Sequence, residues 1–81
     1  MPNTVETLER ETIKWIERLE EQAKKIEILD PKAKNEVVNI KSYLSDAKHF
    51  LEKKDFVRSF EAVVYAYGIL DSLDRMKMIK H

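Results

Sequence analysis

Apolar residues recur at steps of three and four along three successive stretches of the chain. Val5, Leu8, Thr12, Trp15, Ile16, Leu19, Ala23 and Ile26 form the first set. At 100° per residue they fall within a stripe about 100° wide, the pattern of an amphipathic helix. Asn3 with Glu6 three positions on has the spacing of a capping box, so a helix is predicted over residues 4–28. The opposite face pairs Glu6 with Arg10, Glu20 with Lys24 and Glu21 with Lys25 at i,i+4. Each pair supports helicity by ~0.3 kcal/mol.

Asp30-Pro31 ends this helix and begins the next. Proline confines the residue before it to extended geometry and suits the first position of a helix that Asp30 can cap. The second stripe is Ala33, Val37, Ile40, Leu44, Ala47 and Leu51, widened at one edge by Tyr43 and Phe50. It predicts a helix over 31–53, closed by Lys53 and Lys54 where positive charge meets the dipole. Asp55 can cap a third helix over 56–76, whose stripe is Phe56, Phe60, Val63, Tyr67 and Leu70. Val57 and Val64 flank that stripe on one side, and Ala62, Ala66, Ile69 and Leu73 on the other. So much apolar circumference marks a helix that is central in its bundle or partly buried against something else. Short connections force neighbouring helices to run antiparallel. The fold class is therefore all-α: one domain over 1–81, an up-down-up antiparallel three-helix bundle with the capacity to self-associate.

Composition changes this picture mainly by exclusion. The 81 residues are 43% hydrophobic and 37% charged, which is too apolar for disorder. The longest uncharged run, Ala62 to Leu70, is about half of the ~20 residues a spanning helix needs. Without a basic, apolar leader at Met1, the cytoplasm is the expected compartment. There is no cysteine, hence no disulfide frame and no thiolate metal site. Fifteen basic residues balance fifteen acidic ones, with no segment of concentrated positive charge, so nucleic acid is not the expected partner. Abundant Lys and Glu with a single Gln fit a heat-loving source.

Few residues offer chemistry. Asp46 and His49 have the i,i+3 spacing of carboxylate-bridged metal bundles. Both fall away from the apolar stripe, so a solvated face is expected and no metal. Asp71 and Asp74 come where the third stripe runs out, Asp74 on the core-facing line after Leu70 and Asp71 four residues before Arg75. Polar packing at the bundle end accounts for them better than a pocket. Three tyrosines without a basic groove do not make a base-stacking platform. The lone glycine excludes a phosphate-cradling loop. No cofactor is expected. Tyr65 points away from the stripe, and Gly68 costs ~1 kcal/mol relative to alanine inside a helix. With Ile69 these two form the expected contact surface for a protein partner or a second copy.

The segment Ser42-Tyr43-Leu44-Ser45-Asp46-Ala47-Lys48-His49-Phe50-Leu51-Glu52-Lys53-Lys54-Asp55-Phe56, with Ser59-Phe60-Glu61-Ala62-Val63 and Ala66-Tyr67-Gly68-Ile69-Leu70-Asp71, resembles a small archaeal helical family known only as a domain of unknown function. The resemblance spans Ser42 to Arg75 and implies a helical bundle without an established activity. The same hairpin is similar to that of HEPN domains, some of which are metal-independent ribonucleases with an Arg-x4–6-His motif. Arg75 and His81, five residues between them, fit that spacing. The resemblance implies an arginine that stabilises a phosphorane-like charge and a histidine that moves the proton. His81 ends the chain, where fraying is expected, and HEPN folds have more helix. The expectation is a non-enzymatic interaction module, with a HEPN-like RNA-processing or RNA-binding domain as the alternative.

Overall fold

The structure is a computed structural model that describes residues 3–81. It contains three helices, α1 (Thr4–Lys24), α2 (Lys34–Glu52) and α3 (Phe56–Arg75). They form an elongated body 46 × 21 × 17 Å. A 3-10 turn over Pro31–Ala33 leads into α2. Two short strands, β1 (Glu27–Ile28) and β2 (Ile79–Lys80), complete the element order. Among the described residues no helix is long and apolar enough to cross a membrane.

The helix starts follow local chemistry. The Asn3 side chain accepts from the Glu6 amide at 2.8 Å, Asp30 from Lys32 at 2.9 Å, and Asp55 from Arg58 at 3.2 Å. Each carboxylate or amide oxygen satisfies a donor that the first helical turn leaves unpaired. The ends of the second and third helices close through backbone turns. α2 and α3 both close in a Schellman arrangement around a lysine with positive φ, Lys54 at 60° and Lys77 at 58°. The Lys54 and Asp55 amides return to the Leu51 and Phe50 carbonyls, and those of Lys77 and Met78 to Asp74 and Leu73.

The first predicted helix, drawn to Ile28, is too long. α1 stops at Lys24, whose successor Lys25 bonds back to Gln22 and Ala23. Beyond it, Glu27 pairs with Lys80 and Ile28 with Ile79 in an antiparallel ladder. The Leu29 and Asp30 amides both donate to the Met78 carbonyl, at 2.9 and 3.1 Å. The Lys77 turn makes this possible by reversing the chain after α3, so residues 78–80 run back along 27–29. Ile79 is thereby sealed at 2% exposure.

The core runs through Ile16, Leu19, Val37, Ile40, Leu44, Val63, Leu70 and Leu73. α2 and α3 pack most extensively. Ala47, Ser59, Ala62 and Ala66 are all buried and small, which lets the two backbones close in. Ser59 Oγ donates to the Ala47 carbonyl at 2.6 Å across that contact. This close packing rotates α3 from its expected orientation. Its buried line is Ser59, Ala62, Val63, Ala66, Leu70 and Leu73. Phe56, Phe60 and Tyr67, expected at the centre, lie half-buried along one edge.

Candidate functional site

The rotation of α3 decides what its outer side presents. Val57, Val64, Tyr65 and Met76 are exposed by 59%, 51%, 58% and 59%. Val57, Val64 and Tyr65 lie on α3 and Met76 caps its end, so the exposed apolar side chains are grouped along this one side. Between them lies an open groove of about 560 Å³, lined by Glu36, Val64, Tyr65, Gly68, Ile69, Ser72, Leu73 and Met76. It brings together Tyr65, Gly68 and Ile69, the three residues singled out from sequence. Glu36 reaches it from the first turn of α2, because antiparallel packing sets the start of α2 beside the end of α3. Glu36 and Met76 were not legible as members of the site. Their place depends on the register between two helices, which no single stripe encodes.

Tyr65 does not stand alone. Its ring lies 5.6 Å from that of Tyr43, tilted by 43°. Such a pair holds the side chain in one orientation and lowers the entropy lost when a partner covers it. Gly68 has no close neighbour within its own chain: a Cβ built on it would meet nothing within 4 Å. Toward the other end, Trp15, Phe60, Val63, Val64 and Tyr67 line a second, almost wholly apolar hollow of about 280 Å³. Val64 belongs to both, so the apolar surface is continuous. Trp15 meets Tyr67 edge-on at 5.6 Å, and the Arg18 guanidinium lies 4.9 Å over the Trp15 ring. The Tyr67 hydroxyl is buried with no hydrogen-bond partner among the described residues. Burial raises its pKa above the ordinary value of 10.0, opposed by the charge of Arg18.

The charged candidates occupy other places. Asp71 Oδ2 pairs with Arg75 Nε at 3.1 Å. Asp74, expected on the core-facing line, is instead half-exposed, because rotation puts Leu73 there at 3% exposure. Asp74 Oδ1 lies 3.8 Å from His81 Nε2. Arg75 is thus paired with Asp71, and His81 lies near a different carboxylate, Asp74, at the end of α3. Asp46 and His49 are exposed on α2, the His49 ring against Phe50 at 5.9 Å. Glu20 pairs with Lys48, which holds the Glu20 carboxyl below its ordinary range and ties α1 to α2.

The model of a family described as a protein of unknown function, DUF357, matches residues 14–79. The chain belongs to the DUF357 family. The matched segment begins within α1 and runs through α2 and α3 to Ile79. This DUF357 chain is also similar to the crystal structure of protein AF1782 from Archaeoglobus fulgidus, itself described by the DUF357 model. The two share 40% identity at a TM-score of 0.87, over 98% of this chain and 99% of that one. A search of curated proteins gives no match. The archaeal DUF357 relative agrees with the resemblance carried by Ser42 to Arg75.

Proposed function

We propose that this domain is a non-enzymatic protein-interaction module whose contact surface is the outer face of α3. The observation that carries the reading is the continuous apolar strip through Val64, with Tyr65 held against Tyr43 and an open groove beside it. A bundle of this size has few large apolar side chains to spare from the core that offsets the entropy of folding. Leaving several in water costs solubility, and covering them with a partner recovers the hydrophobic contribution of their surface. Aromatic residues with restrained rotamers are typical anchors of such contacts. The non-enzymatic part is supported by the partners of Arg75 and His81. Arg75 pairs with Asp71 through Nε and His81 lies 3.8 Å from Asp74, so the two side chains face different carboxylates, whereas cleavage of RNA needs both aimed at one phosphate.

The test is affinity capture from native lysate with the tagged chain and its Val64→Asp, Tyr65→Asp double variant. Both positions are exposed, so the variant keeps its fold, which circular dichroism checks. The expected result is a protein retained by the parent chain and lost by the variant. A retained set that the variant leaves unchanged overturns the reading. Incubation with single-stranded RNA should leave the RNA intact; cleavage abolished by His81→Ala would replace the interaction module with a nuclease.

A further inference from the structure

Gly68 has no reason to be glycine within its own chain. Its φ is not positive, and a side chain there would meet open space. Yet it sits inside a 20-residue helix, where glycine costs about 1 kcal/mol relative to alanine. The residues on its line are Val57, Glu61, Val64, Gly68, Ser72 and Arg75, spaced by three and four and all exposed. Glu61 and Arg75 stand seven residues to either side of Gly68, about 10 Å along the axis in each direction. They carry opposite charges. Val64 and Ser72 stand four to either side.

We propose that a second copy of this chain docks on that line, α3 against α3 in antiparallel register, with the two-fold axis passing beside Gly68. The inference rests on the interaction reading above and names its occupant. At the crossing the two Gly68 backbones approach closely, which any larger residue would prevent. Val64 packs against the partner's Ser72, and Glu61 meets the partner's Arg75, once on each side of the axis. The Arg75 guanidinium binds Asp71 through Nε, so its terminal nitrogens can take a second carboxylate. A parallel pair centred on the same residue would oppose Glu61 to Glu61 and Arg75 to Arg75, so the charges select the antiparallel arrangement. Two copies of a chain with formal net charge zero repel little overall. One helix face about 30 Å long supplies less than the ~800 Å² per partner of a standard interface. The dimer is therefore of the weak, transient class.

Sedimentation equilibrium of the full chain, across a concentration series reaching the millimolar range, tests this. The mean mass should rise toward that of two chains. Glu61→Arg and Arg75→Glu should each weaken association about tenfold, and the double reversal should restore it to within about threefold. Gly68→Ala should weaken the dimer while raising the thermal midpoint of the dilute protein, a combination that general destabilisation cannot produce. A single-chain mass at every concentration overturns the proposal and leaves the interaction module to the capture experiment. Association that the double charge reversal fails to rescue overturns it as well.

Discussion

Tyr67 shows how a single atom is left uncompensated. Its ring fills the space beside Trp15, but its hydroxyl reaches a place with no acceptor among the described residues. Removing an unsatisfied buried hydroxyl while keeping the ring should stabilise the fold, so Tyr67→Phe is expected to gain about 1 kcal/mol in urea denaturation. The alkaline limb of the stability curve gives a second reading. Burial raises the folded pKa of Tyr67 above that of the unfolded chain. Its contribution is fully present below the unfolded value and is lost as pH rises through the folded one. Tyr67→Phe should therefore flatten the loss of stability above about pH 10, a window set by the ordinary tyrosine pKa. An unchanged alkaline limb would mean that Tyr67 ionises alike in both states.

At the scale of elements, helix starts were legible because capping acts through sequence-adjacent side chains: Asn3, Asp30 and Asp55 are all where the pattern puts them. The ends of α2 and α3 were legible to within a residue although both turns use lysine where glycine is the expected signal, whereas the end of α1 was not, because Glu27 and Ile28 pair with Lys80 and Ile79 instead of extending the helix. A lysine in the left-handed region carries steric strain that glycine avoids. Lys54→Gly and Lys77→Gly should each raise stability by roughly 0.5–1 kcal/mol, after the larger unfolded-state entropy of glycine is set against the relief of strain. Thermal denaturation of the two single variants checks this; a fall in both midpoints would show that the lysine side chains make compensating contacts. The orientation of α3 was also only partly legible. Phe56, Phe60 and Tyr67 outweigh alanine in any stripe drawn by hydrophobicity. Packing instead favours the line of Ser59, Ala62 and Ala66, where α2 can come close. Tyr65 and Gly68 lie off either line and line the groove with Ile69, which also packs partly against the core. Glu36 was not legible, since it arrives from another helix.

For the whole molecule, the decisive long-range feature is the ladder between residues 27–28 and 79–80. It gathers the end of α1, the approach to α2 and the end of α3 at one pole of the bundle. Ile79, which no helical period could assign, is buried there to 2% exposure. Ile79→Ala should cost about 2–4 kcal/mol of equilibrium stability, as for other buried large-to-small changes. The same ladder orders events in time. The α2–α3 hairpin joins residues close along the chain, whereas the ladder must close a loop of some fifty residues before its few bonds form. The hairpin is thus expected in the folding transition state, and the ladder after it. In stopped-flow experiments Ile79→Ala should then leave the refolding rate nearly unchanged and accelerate unfolding by most of its equilibrium effect. How long a folded molecule persists is then governed by its last few residues, while how quickly it forms is governed by its middle.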